Sequence, residues 1–148
     1  MTSDGTALSG LGYAERLTLD LAPWRLPITE LRWGRWMAAD GGRSMVWIDW
    51  RGSRPLTAVF VDGVRAAAST VADDRIVAGN ATVVLTDQRT LHRRSLGDVI
   101  GAVGPLSRVF PATWLEVQDC KWLSTGTLHA AGARPETGWV IHEHVRFP

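Results

Sequence analysis

Short runs of alternating apolar and polar residues, cut again and again by Gly, Pro or Asp-Gly, dominate this chain, and helical periodicity is nearly absent. A period of two puts alternate side chains on opposite faces of a strand. Turn residues at this density then predict an all-β sandwich or barrel. Residues 13–21 alternate from Tyr13 to Leu21, and Pro23 and Pro27 break the segment 22–28 after them. Leu31–Ala39 reads as a strand ended by Asp40-Gly41-Gly42, followed by Ser44–Arg51. Pro55–Val61 ends at Asp62-Gly63, and Val64–Val71 comes next. Ala81–Arg94 is long enough for one bent strand or two short ones, and Leu96–Val103 reads as a short helix. Leu106–Phe110, Thr113–Asp119, Lys121–Ala130 and, after the turn at 132–137, Trp139–Phe147 read as further strands. The expectation is a single antiparallel lipocalin-like barrel of about eight to ten strands over 12–148, behind a flexible leader at 1–11.

A chain of 148 residues fits one domain. With 16 Lys and Arg against 15 Asp and Glu, its net charge of +1 offers no footprint for nucleic acid or an anionic membrane. No apolar run reaches the roughly 18 residues of a spanning helix. Residues 1–11 lack the basic start and apolar stretch of a signal peptide. Cys120 is the single cysteine, so an internal disulfide is impossible. These features predict a soluble cytoplasmic protein. Tryptophan is in excess, eight against one tyrosine and three phenylalanines. A cavity partly lined by aromatic rings, holding a hydrophobic small molecule, is the expected use of that surface; core packing is the plainer one.

Three carboxylates fall in phase with large apolar neighbours. Glu15 shares a face with Tyr13 and Leu17, Glu143 with Trp139, Ile141 and Val145, and Asp49 with Met45 and Trp47. If those faces point inward, desolvation favours the protonated acid, which then serves as proton or hydrogen-bond donor. The competing roles are an ion pair with an inward arginine such as Arg35, or, for Asp49, a structural hydrogen bond. Tyr13, Trp33, Trp47 and Trp139 are the expected substrate-binding rings. His142 and His144 share the face opposite Glu143, expected to meet solvent, and no further metal ligands come after them. No phosphate loop, CxxC pair or Ser-His-Asp order stands in the chain, so no cofactor or metal is expected.

Several segments together carry a family resemblance. Gly10-Leu11-Gly12-Tyr13-Ala14-Glu15, Pro23-Trp24-Arg25-Leu26-Pro27, Leu31-Arg32-Trp33-Gly34-Arg35-Trp36, Met45-Val46-Trp47-Ile48-Asp49-Trp50 and Gly138-Trp139-Val140-Ile141-His142-Glu143 resemble the second barrel of the carotenoid 1,2-hydratase (hydroxyneurosporene synthase) family. That group includes lipocalin-like Diels–Alderases and tocopherol cyclase relatives. The resemblance implies a cofactor-free cyclase or isomerase acting on a polyene or polyketide-like molecule, for example by [4+2] cyclisation. A hydratase of an isoprenoid double bond and a lipocalin-like binder without turnover are the alternatives. Family members carry two barrels in tandem, whereas this sequence holds one barrel's worth. A stand-alone barrel, a fragment and one half of a homodimer all fit that difference.

Overall fold

A computed structural model describes residues 2–3, 6–7, 18, 20–101 and 111–148. Within 1–11, Thr2–Ser3 (β1) pairs with Thr6–Ala7 (β2) as a minimal hairpin. The strand expected over 13–21 and the one over 106–110 lie outside the described residues, except that Thr18, Asp20 and Leu21 are not in a strand.

The other nine strands form one antiparallel sheet. They are β3 (Ile28–Ala38), β4 (Ser44–Gly52), β5 (Leu56–Val61), β6 (Val64–Arg65), β7 (Ser69–Val71), β8 (Arg75–Ala78), β9 (Ala81–Ser95), β10 (Gln118–Ala130) and β11 (Glu136–Arg146). Their order is β6-β5-β4-β3-β11-β10-β9-β8-β7. Two meanders, β3 to β6 and β7 to β11, are therefore sewn together along β3 and β11. The remaining elements among the described residues are α1 (Leu96–Gly101) and 3-10 turns at Pro23–Arg25 and Ala112–Glu116.

Two observations show the sheet to be curled into a half-barrel. Edge strands β6 and β7 are joined by residues 66–68 alone, which holds the two edges within about 14 Å of each other. The core also gathers residues far apart in strand order: Met45, Val59, Ile76, Val83, Leu128 and Val140 pack in one cluster. The face they share is the concave one. Closure stops short of a continuous ladder, because β6 and β7 are not hydrogen-bonded to each other. β5 packs against β7 and β8 instead. Arg51 Nη2 adds a tie from β4, donating to the Val71 carbonyl at 3.0 Å.

Turn chemistry explains much of the path. Asp62 (φ 50°) and Gly63 (φ 81°) both take the positive φ that a two-residue hairpin turn demands, and they link β5 to β6. Between β9 and β10 the register shifts opposite Ser124, and Asp87 (φ 51°) sits in the resulting bulge, so the 15-residue β9 bends.

Pleating gives β3, β4, β10 and β11 two different surfaces. Even-numbered positions of β3 from Glu30 onward and of β10 and β11, with odd-numbered positions of β4, face the concave side with Trp36, Met45 and Val140. The opposite positions face the convex side, where Trp114 of the Ala112–Glu116 turn and Leu96 and Val99 of α1 join the sheet in lining an apolar groove. Trp114 lies 5.5 Å from Phe147 and 6.2 Å from Trp24 there, centre to centre. No helix among the described residues is long and apolar enough to cross a membrane.

Candidate functional site

The concave face is layered, and the register sets the layers. At the bottom, Met45, Trp36, Val140 and Ser124 lie side by side across β4, β3, β11 and β10. Trp36 is anchored there by its indole Nε1, which donates to the Gly126 carbonyl at 3.0 Å. One layer up, the same four strands present Trp47, Gly34, His142 and Trp122. Above that come Asp49, Arg32, His144 and Cys120, with Arg93 opposite Cys120 on β9. The rim carries Arg51, Glu30, Arg146 and Gln118. The chain thus builds an apolar floor, an aromatic middle and a charged rim. A cavity of about 460 Å³ opens over the upper layers.

The aromatic layer depends on a glycine. A Cβ on Gly34 would stand 2.1 Å from Trp47 Cζ2 and 2.8 Å from the His142 Cβ. Bare backbone lets the Trp47 indole lie across β3. On the far side His142 stacks on Trp122, centroids 5.2 Å apart and planes 27° apart. His142 Nε2 shares a 2.9 Å hydrogen bond with the Ser124 hydroxyl below it. Burial pushes the His142 pKa down to about 4, so the ring is neutral at pH 7.

The rim is an ion network. Asp49, 5 % exposed, accepts from Arg51 Nε at 2.9 Å and from the Thr57 hydroxyl at 2.6 Å. Glu30 meets Arg32, Arg51 Nη1 at 3.2 Å and His144 Nε2 at 3.2 Å, the last off the line of a full hydrogen bond. Burial raises the Glu30 carboxyl, but the hydrogen bond and charge of Arg32, with His144 and Arg51, outweigh it and hold the group below the usual carboxylate range. Burial lowers His144; Glu30 opposes that shift, while Arg32 and Arg146 reinforce it. Arg32 also pairs with Asp73, from the loop after β7. His144 is thus held toward its neutral form, with the Glu30 carboxylate 3.2 Å from its Nε2 as a charge contact and not as a hydrogen-bond acceptor.

The expected site residues divide between the two faces. Trp47 and Asp49 lie on the concave side, next to and within the rim network. Glu143, Trp33 and Trp139 lie on the convex side, opposite to the inward direction expected for them. Glu143 pairs there with Lys121, its cross-strand neighbour, at 2.7 Å. His142 and His144, expected to meet solvent, instead face the cavity. On β11 the more apolar positions, Trp139, Ile141 and Val145, belong to the convex face, so hydrophobicity alone points to the wrong side. Tyr13 and Glu15 lie outside the described residues. Of the eight tryptophans, Trp36, Trp47 and Trp122 serve the concave side, while Trp33, Trp50 and Trp139 share the convex one.

Sequence reasoning passed over Glu30, Arg32, Trp122 and Ser124. Their signal was available only by pairing strands: Trp122-x-Ser124 and His142-x-His144 fall on one face once β10 and β11 are aligned. Among the described residues no group of three or more His, Cys, Asp or Glu side chains is placed to hold a metal ion.

The convex groove, about 360 Å³, is lined mainly by apolar side chains, among them Leu31, Ile48, Trp50 and Val145 of the sheet and Val99 and Trp114 of the covering segments. No protein-family model, curated protein or solved structure matches the chain.

Proposed function

We propose that the chain binds a small conjugated organic molecule in the concave cavity and converts it as a cofactor-free isomerase or cyclase. The observation that carries this reading is the His144–Glu30 pair in the layer directly above the Trp47–His142–Trp122 platform. Trp122, the partly exposed ring of that layer, would hold a conjugated body by stacking over the buried Trp47 and His142. His144, held toward its neutral form beside the Glu30 carboxylate, would take a proton from carbon beside a carbonyl and return it to another carbon of the same conjugated system. One C–H bond breaks and another forms, and the imidazole ends as it began. A ring closure would use the same platform to fold the substrate, with the rim donors polarising its carbonyl. The cavity volume lies within the range usual for small-molecule sites.

Binding without turnover is the second reading. It is favoured by the engagement of Glu30 with Arg32 and Arg51 as well as His144. One experiment separates the two. Enolisable dienones are incubated with the protein in deuterated water, and exchange into the substrate is followed by NMR. The isomerase reading expects exchange that falls about 10²-fold or more in His144→Gln, the scale of a positioned base. Saturable binding with no exchange in either protein supports the binder.

A further inference from the structure

We propose that the ligand of the concave cavity is a planar aromatic or conjugated carboxylate, its ring against Trp122 in the aromatic layer and its carboxylate held by Arg93 and Arg146. This rests on the concave cavity being the ligand site.

The inference comes from charge matching on the concave side. Among the described residues, four guanidinium groups stand in the two upper layers or opposite them: Arg32, Arg51, Arg93 and Arg146. Three carboxylates meet them there, and each is already engaged. Glu30 contacts Arg32 and Arg51, Asp49 contacts Arg51, and Asp73 contacts Arg32. None reaches Arg93 or Arg146. The remaining nearby carboxylates point away: Asp119 and Glu143 take the convex parity and pair with His92 and Lys121. Two exposed guanidiniums are thus left beside the cavity with no counter-charge among the described residues.

Their placement suits one head group. Arg93 lies opposite Cys120 and Arg146 opposite Gln118, on the two strands that flank β10. The two therefore look across β10 at a common space, and the Gln118 side chain adds an amide between them. Arginine's planar fork matches a carboxylate in two parallel hydrogen bonds. Trp47 and Trp122 lie in the layer two residues below Arg32 and Cys120. Two residues of strand rise about 7 Å, the span from a carboxylate to the far side of a fused ring pair. A molecule with its acid in the Arg93 layer reaches the aromatic layer without bending, and Arg146, two residues higher, meets the acid from above.

The test uses three probes of one shape, 2-naphthoate, 2-naphthamide and 2-naphthyl phosphate, titrated calorimetrically into the full chain at low and high salt. The proposal expects naphthoate to bind about tenfold or more tighter than the amide, with that advantage shrinking in salt. It also expects naphthoate to match or exceed the phosphate. Arg93→Gln and Arg146→Gln should each weaken naphthoate about 3- to 10-fold and leave the amide unchanged. Both side chains are exposed, so unchanged melting temperatures would show the fold intact. Equal binding of acid and amide, or naphthoate binding untouched by both substitutions, overturns the carboxylate proposal and leaves the cavity as the ligand site. Phosphate binding far above carboxylate overturns it in favour of a phosphoryl head. If none of the three binds, the reading of the cavity itself falls, and this proposal with it.

Discussion

Gly34→Ala tests the layered cavity at its tightest point. The added methyl would sit 2.1 Å from Trp47 Cζ2 and 2.8 Å from the His142 Cβ, where carbon atoms pack at about 3.5–4.0 Å. Trp47 is only 2 % exposed, so its ring has no free space to retreat into. Overpacking of this kind costs about 1–3 kcal/mol. Gly34 does not take a positive φ, so alanine also gains about 0.4–1 kcal/mol by restricting the unfolded chain. The net expectation is a loss of up to about 2.6 kcal/mol, or up to about 10 °C in melting temperature for a domain of this size. Thermal and urea unfolding measure it. Cζ2 belongs to the six-membered ring of the indole, and Trp47→Phe removes that ring. Alanine at position 34 should therefore cost clearly less in the Trp47→Phe background, a coupling above about 0.5 kcal/mol. A higher stability for Gly34→Ala, or an identical effect in both backgrounds, would refute the crossing of β3 by the Trp47 ring.

Three further outcomes are expected. His142 binds its proton only near pH 4 when folded but near 6.5 when unfolded, so the unfolded state holds more protons between those values. Stability should therefore fall on acidification through that window, by up to about 1.4 kcal/mol per pH unit, and His142→Gln should flatten the slope in urea titrations from pH 7.5 to 4.5. Arg51→Ala strips the buried Asp49 of its guanidinium and unties β7, so a loss of about 1–3 kcal/mol should accompany faster amide exchange at Ser69–Val71. Glu143→Gln breaks only a partly exposed pair with Lys121 on the convex face, so melting should change by no more than about 1 kcal/mol and ligand affinity in the cavity should stay level.

The turns were the most legible part of the chain. Asp40-Gly41-Gly42 and Asp62-Gly63 mark real reversals, and β3, β4, β5, β9 and β11 begin or end within three residues of the expected positions. The fifth expected strand, Val64–Val71, is instead two edge strands, β6 and β7, split at 66–68 where the chain crosses from one edge of the sheet to the other. Strand β8 was missed, although Gly79-Asn80 is a hairpin signal, because Asp73-Asp74 gave the segment before it a loop-like composition. Thr113–Asp119 alternates like a strand, yet Ala112–Glu116 is a 3-10 turn whose Trp114 packs on Phe147. Which face points inward was not legible. Hydrophobic alternation identifies two faces, but here both are covered: one by the curl of the sheet, the other by short covering segments. A polar concave wall is then indistinguishable from a solvent face until strands are paired, and Glu30, Arg32 and His144 come together only through that pairing.

The strand order also dictates how the molecule assembles in time. Among the described residues every ladder but one joins strands that are consecutive in the chain, so most pairings can form early and at small entropic cost. The exception is β3 with β11, which unites residues 28–38 with 136–146 and must wait for most of the chain. Contacts of such long sequence separation are those that slow folding. Gly34 and His142 face each other across that very ladder. The aromatic layer of the cavity is therefore formed by the same event that joins the two meanders, and changes made there should register in the folding rate, while changes within the outer hairpins should register in unfolding.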